Sequence, residues 1–142
     1  MPVELITEAP TEQPARPERP LAPALRNGVS GACPACGKGA IFRAYLKVND
    51  KCPTCQTELH HHRADDAPPY VVMLIVGHLI VGLVLVLEQT LAPPLWLHVA
   101  IFIPASVLLA LALLPPVKGA LVALQWALRM HGFDPRARPD AA

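Results

Sequence analysis

Two pairs of cysteines are the residues of this chain whose types and spacing could do chemistry. Cys33 and Cys36 form the first pair, Cys52 and Cys55 form the second, and residues 37–51 separate them. Two thiolates three positions apart on a tight turn can face one ion about 2.3 Å away, and two such turns complete a tetrahedron. Because four thiolates leave no coordination position for water, we predict a structural zinc ion rather than a catalytic one.

Other roles for the cysteines are less favoured. The four ligands alone do not exclude iron in place of zinc. The sequence gives less support to a thiol-redox role than to either metal. No histidine follows either pair, so covalent haem attachment is not indicated. The first 30 residues contain no apolar run typical of a cleaved signal. We therefore expect a reducing compartment, where metal ligation is favoured over disulfides.

Residues 33–58 are predicted to form a zinc ribbon. A segment this short cannot bury enough apolar surface to fold alone, so the metal should supply folding energy. We call the tight turn that carries each cysteine pair a knuckle. The residue after a knuckle takes a positive φ, which Gly37 can adopt without strain. Gln56 stands at the matching position of the second knuckle, where the same conformation costs a residue with a Cβ about 1 kcal/mol. A short β-hairpin over the metal is predicted from the apolar residues between the knuckles, Ile41, Phe42, Tyr45, Leu46 and Val48.

Charge argues against nucleic acid as a partner. The chain has a formal net charge of +1. Within the ribbon, four basic and two acidic side chains give a charge of +2. Four thiolates around one divalent ion contribute −2, so the net charge of the ribbon is near zero. Binding of phosphates needs a positive surplus, so we expect no nucleic-acid partner.

Two long apolar stretches are the elements that must position the ribbon. Residues 70–87 and 95–114 carry no formal charge, and each is long enough to cross a hydrocarbon layer of about 30 Å as a helix. Because the connection is short, residues 70–114 are predicted to form an antiparallel transmembrane hairpin in contact with lipid. Within it, Pro104 is expected to kink the second helix.

Lysine and arginine predict the orientation of this hairpin. The connecting loop has no basic residue, and the basic residues all lie in the two flanking segments: Arg16, Arg19, Arg26, Lys38, Arg43, Lys47, Lys51 and Arg63 before the hairpin, and Lys118, Arg129, Arg136 and Arg138 after it. Excess positive charge stays on the cytoplasmic side. We therefore predict a multi-pass protein of a bacterial inner membrane with both termini in the cytoplasm.

The remaining segments are predicted from composition and periodicity. Proline-rich residues 1–32 are expected to be a disordered tail, and residues 59–69 a linker in which Asp65 or Asp66 caps the first long helix. Pro115 and Pro116 should end the second helix. Residues 117–131 are then expected to form an amphipathic helix in the cytoplasmic interface, with Lys118 and Arg129 on its lipid-facing basic side and residues 132–142 as a loose tail.

Histidines supply the other candidate ligands. His78 lies near the middle of the first apolar stretch. It could be a haem or copper ligand, a proton relay, or a neutral imidazole hydrogen-bonded across the hairpin, and the last of these roles is favoured. His98 differs from it in depth by about 9 Å, so the two should not share an ion. The cluster His60–His62 could bind a transition metal or respond to pH. It would need a further fixed ligand, and a solvated linker is the favoured interpretation.

Several of these residues together resemble one known family. They are Cys33-x-x-Cys36-Gly37-x-Gly39-x-x-Phe42, Cys52-x-x-Cys55, Arg63-Ala64-Asp65-Asp66, Gly77-His78, Lys118-Gly119-Ala120 and Gln125-Trp126. The pattern resembles a family of small bacterial inner-membrane proteins of unknown function, over about residues 30–133. Gln56 stands where the family usually has glycine. The resemblance implies a four-cysteine zinc ribbon with two transmembrane helices and, because members are often encoded near cytochrome oxidase genes, an accessory role toward a respiratory oxidase.

The sequence therefore predicts a non-enzymatic membrane accessory protein. It shows no substrate-binding motif, nucleophile–base pair or phosphate loop. A larger membrane-protein partner is expected. Two other functions stay open: a metal or haem handling protein that uses His78 and the cluster His60–His62, and a membrane-tethered adaptor that recruits a cytoplasmic protein.

Overall fold

The computed structural model describes residues 17–63 and 65–134. In chain order the elements are α1 (Leu21–Val29), β1 (Phe42–Ala44), β2 (Lys47–Val48), α2 (Ala67–Leu91), α3 (Leu95–Ala127) and a 3₁₀ turn (His131–Phe133). The short hairpin, two long apolar helices and a cysteine cluster were all expected. The additional helix α1 was not.

Helices α2 and α3 form a long antiparallel pair. They contain 25 and 33 residues, which correspond to about 38 Å and 50 Å at 1.5 Å per residue. Both are long and apolar enough to span a membrane. In the most apolar stretch of 18 residues, 11% is buried in α2 and none in α3. A core helix of a soluble protein would be mostly buried. Ser106 and Ala110 of α3 line the cleft between the two helices, opposite Val72 and Val76.

Helix α3 does not end at Pro115 and Pro116, so the predicted break there is wrong. It continues through both prolines to Ala127, and the predicted separate interfacial helix over residues 117–131 is instead the last part of α3 and the turn after it. A proline inside a helix leaves the carbonyl four residues earlier without its backbone donor. For Pro115 that carbonyl belongs to Leu111, and it accepts a hydrogen bond of 2.6 Å from the hydroxyl of Tyr45.

The face of α3 beyond the prolines also differs from expectation. We predicted that its basic side would meet lipid. Lys118 instead lies 3.2 Å from the carboxylate of Asp65 and is largely covered, while Val122 and Ala123 are fully buried. This segment of α3 packs against α1 and against residues 33–58, which are called the ribbon below.

Helix α1 corrects the prediction that residues 1–32 are disordered. It begins after Pro20, and Pro23 lies in its first turn, where a missing backbone N–H is tolerated. Gly28 faces Gly119 of α3 so closely that a Cβ on either would meet the carbonyl oxygen of the other. Tertiary packing thus orders a segment whose composition argues against helix. Residues 1–16 of the predicted tail lie outside the described residues.

The chain after α3 is partly anchored as well. Phe133 is buried and packs with Ala24 of α1 and Trp126 of α3. The expected loose tail over residues 132–142 is therefore wrong for its first residues, and residues 135–142 lie outside the description.

The ribbon is a two-stranded antiparallel sheet with an irregular register. Phe42 pairs with Val48 and Ala44 pairs with Lys47. Of the predicted apolar set, Ile41 and Val48 are buried. Tyr45 leaves this small core and reaches α3.

The linker between the ribbon and α2 does not use its aspartates as predicted. Asp66 is the N-cap residue of α2, but its side chain makes no capping hydrogen bond. Asp65 pairs with Lys118. The carboxylate of Asp65 therefore ties the start of α2 to α3 instead of capping the helix.

Candidate metal centre

Each cysteine pair lies on a tight turn, and the two turns are alike. The carbonyl of Cys33 accepts a hydrogen bond from the amide of Gly37 at 2.8 Å, and the carbonyl of Cys52 accepts one from Gln56 at 3.0 Å. Gly37 has φ +67° and Gln56 has φ +58°. The expectation that Gln56 would occupy the left-handed region is confirmed.

The two turns bring all four thiols together. The Sγ atoms of Cys33 and Cys55 are 3.7 Å apart, and those of Cys36 and Cys52 are 3.8 Å apart. All four ligand atoms lie within 4.8 Å of one another. Sulfur ligands 2.3 Å from a tetrahedral ion are separated by about 3.8 Å. The four cysteines could therefore hold one metal ion with little rearrangement.

Backbone amides prepare two of the thiols for ligation. Hydrogen bonds from the backbone of Gly39 and Lys38 lower the pKa of Cys36 to about 6. Burial alone would raise the pKa of Cys52, but backbone hydrogen bonds from Cys55 and Thr54 and the neighbouring thiols outweigh it, so that the pKa is lowered. The Cys36 thiol is therefore ready to act as a thiolate near neutral pH, and the Cys52 thiol loses its proton more easily than an ordinary cysteine.

The thiol of Cys33 is the one that would gain most from a cation bound at this site. Burial raises the pKa of this thiol to about 12, despite opposing hydrogen bonds from the backbone of Cys36 and Ala35. A thiolate in this position needs a compensating positive charge, which a coordinated metal ion supplies. The donor set thus fits a metal ion better than four free thiols.

Gly39 is required by the close approach of the two knuckles. A Cβ at this position would meet the Sγ of Cys52 and come within 3.1 Å of the Thr54 hydroxyl. The carbonyl of Gly39 also accepts a hydrogen bond of 2.7 Å from the amide of Cys33. A side chain at position 39 would therefore displace a ligand.

The centre shares its core with α3. Cys33, Cys52, Ile41 and Leu59 pack in one buried cluster with Val122 of α3, and each of these five is 0% exposed. The ribbon therefore completes its core with a residue about 65 positions beyond its own end. Sequence analysis missed Val122, because the residues one helical turn away include Lys118 and Gln125, so its face of the helix reads as polar.

Comparison with protein families identifies the chain. A family described as "Protein of unknown function (DUF983)" matches residues 42–126. The chain belongs to this family. No curated protein and no solved structure matches it. The DUF983 match runs from β1 through both long helices to Trp126, so it contains the second cysteine pair and follows the first.

Two partly buried polar contacts near the end of the DUF983 match join α3 to the linker after the ribbon and to a residue just before α1. Gln125, which is buried, accepts a hydrogen bond of 3.0 Å from the amide of Arg63 through its Oε1 atom. The guanidinium of Arg19 lies 4.6 Å from the ring centre of Trp126 and donates to the Trp126 carbonyl at 2.7 Å. Partial burial lowers the pKa of Arg19, with a further lowering from the nearby charge of Arg129.

The two histidines of the long helices do not join a metal centre in the described residues. The Nδ1 of His78 lies 2.8 Å from the carbonyl of Leu74 in its own helix. The favoured hydrogen bond across the hairpin is therefore wrong. His98 lies 3.5 Å from Glu88 and stacks on Phe102.

Proposed function

We propose that this protein is a non-enzymatic accessory protein of a bacterial inner membrane, with a structural zinc ion in the four-cysteine centre. Helices α2 and α3 cross the membrane, and the ribbon and both termini face the cytoplasm. The protein binds a larger membrane complex, for which the family resemblance implies a respiratory oxidase.

The burial of Val122 carries this proposal. Because one residue of α3 completes the core around Cys33 and Cys52, the metal centre is joined to a membrane-length helix by packing and not by a flexible linker. Such a joint holds the ribbon at a fixed position relative to the bilayer. A fixed position suits a protein that contacts a membrane complex.

The closed ligand set supports a structural role for zinc. Four cysteine sulfurs fill a tetrahedral sphere and leave no site for a water or a substrate. The ribbon buries few side chains of its own, so ligation supplies much of its folding free energy.

Charge supports the proposed orientation. The loop between α2 and α3 carries no lysine or arginine, while Lys38, Arg43, Lys47 and Lys51 all lie on the ribbon. Cytoplasmic segments near membrane helices carry this excess of positive charge.

Purification of the full chain from membranes in mild detergent tests the proposal. Cys36→Ser removes a ligand, and Ala35→Ser is the matched control because Ala35 is an exposed residue of the same turn. We expect a membrane complex to co-purify with the wild type and with Ala35→Ser, and to be lost with Cys36→Ser. A protein that purifies as a monomer without a membrane partner would contradict the proposal. Crosslinks from Lys47 or Lys51 to a soluble protein would instead indicate the adaptor function.

One observation favours a second candidate function, the handling of a metal or haem within the membrane. The bond to Leu74 fixes the Nδ1 side of His78, while the side chain is exposed, and ligand histidines are commonly held in this way. Metal analysis and visible absorption of the wild type and of His78→Ala test this function. A single zinc per chain and no visible absorption, the same in both proteins, would exclude it.

A further inference from the structure

Three possible metal ligands lie together at the end of the ribbon, apart from the cysteines. The ligand atoms of Glu58, His60 and His61 are within 4.8 Å of one another. The Nε2 of His61 is 3.1 Å from Oε2 of Glu58. Ligands about 2.1 Å from one ion are about 3.0 to 3.4 Å apart, so this spacing fits two ligands of a single ion. The ring centres of His60 and His61 are 3.9 Å apart.

The backbone holds Glu58 and His60 in place. Glu58 forms an isolated antiparallel bridge with Lys51. The carbonyl of Asp50 accepts hydrogen bonds from the amides of Leu59 and His60, at 2.8 and 3.2 Å. The position of this segment therefore follows from the same strand geometry that places Cys52.

The turn after α3 holds His61. A Cβ on Gly132 would meet Nδ1 of His61, and Phe133 contacts the imidazole edge-on with ring centres 5.7 Å apart. The Gly132 contact lies on the Nδ1 side of the ring. The Nε2 atom is left directed toward Glu58.

We propose that Glu58, His60 and His61 bind a divalent first-row transition-metal ion. Two imidazoles and a carboxylate suit zinc, copper, nickel or cobalt. Three protein ligands leave at least one coordination position for water. Unlike the closed cysteine centre, this site exchanges its ion with solvent. The proposal does not rest on the function proposed above.

The present partners of Glu58 are the imidazole of His61 and the ammonium group of Lys51. The hydrogen bond from His61, together with the nearby charge of Lys51, keeps the pKa of Glu58 below its usual range. The carboxylate is thus ionised at neutral pH. Lys51 contacts the other oxygen, Oε1, at 3.6 Å and is exposed, so its side chain can move away when an ion binds.

His62 is excluded from the site and provides a control. Its Nδ1 lies 2.9 Å from the carbonyl of Leu59, and its Nε2 lies 3.9 Å from Asp65. Both nitrogens thus have other neighbours, and His62 does not belong to the group formed by Glu58, His60 and His61.

Equilibrium dialysis against Co²⁺ tests the proposal. The full chain is purified with a tag that lacks histidine, and its cysteine centre is first filled with zinc. We expect the wild type and His62→Gln to bind one further equivalent of cobalt. Glu58→Gln and His61→Gln should each bind it at least about tenfold more weakly, while Lys51→Gln, which removes a competing cation, should bind it more tightly.

Retained zinc in each variant shows that the ribbon is still folded. Failure of the wild type to bind a second equivalent would overturn the proposal. So would a second equivalent bound equally well by Glu58→Gln and His61→Gln. Neither result would affect the cysteine centre, because zinc there is measured separately.

Discussion

The hydroxyl of Tyr45 hydrogen-bonds to the carbonyl oxygen of Leu111 at 2.6 Å. Leu111 lies four residues before Pro115, which has no backbone N–H to offer. The ribbon thus supplies a donor that the helix lacks, at the point where sequence predicts the helix to stop.

Replacement of Tyr45 by phenylalanine should therefore destabilise the protein. Loss of one hydrogen bond to a carbonyl whose helical partner four residues later is a proline costs about 1 kcal/mol. Thermal unfolding in detergent measures it. Tyr70→Phe is the control, because Tyr70 is highly exposed on α2; equal unfolding temperatures for the two variants would show that the Tyr45 contact contributes nothing.

Gly28→Ala should separate α1 from α3. The added methyl would meet the carbonyl of Gly119 and the Cβ of Ala123, and such overpacking costs about 1 to 3 kcal/mol. We expect faster proteolysis near residues 17–32 and a lower unfolding temperature.

The matched control for Gly28 is Gly82→Ala. A Cβ there has nothing within 4 Å, and alanine is the better helix former by about 1 kcal/mol. We expect this variant to be as stable as the wild type or more so. Equal behaviour of the Gly28 and Gly82 variants would mean that α1 is not packed on α3.

These contacts show what the sequence could predict and what it could not. The cysteine spacing and the long uncharged stretches are local signals, and they predicted the cysteine cluster, the hairpin and the two helices. The Leu111 carbonyl, which Pro115 leaves without a helical donor, accepts its hydrogen bond from Tyr45, a residue distant in sequence. Periodicity within one segment cannot reveal such a donor.

The same reason explains the errors in the flanking segments. Helix α1 forms because Gly28 permits contact with α3, whereas composition alone indicates disorder. Asp65 pairs with Lys118 across the fold, although its position before α2 indicated a cap. In both cases a tertiary contact prevailed over a local preference.

Gln56→Gly should strengthen metal binding. Gln56 has φ +58°, a conformation that costs a residue with a Cβ about 1 kcal/mol or more. Glycine relieves this strain, so a higher chelator concentration should be needed to remove the metal. Gly37→Ala, at φ +67° and 3.0 Å from Asn27, should have the opposite effect. A Gln56→Gly protein that loses metal more easily than the wild type would contradict this expectation.

Gly39→Ala should weaken the centre far more than Gly37→Ala. The new methyl would clash with the Cys52 sulfur, so at least one ligand must move. We expect purified Gly39→Ala to contain less than one metal per chain, as measured by elemental analysis. Full metal content in this variant would show that the knuckles are farther apart than described.

X-ray absorption at the zinc edge tests the central claim most directly. The full chain is purified without added metal and washed with a weak chelator until one metal per chain is left. We predict that this metal is zinc with a first shell of four sulfurs at about 2.3 Å. A chain without bound metal, or a first shell containing nitrogen or oxygen in place of any of the four sulfurs, would contradict the account.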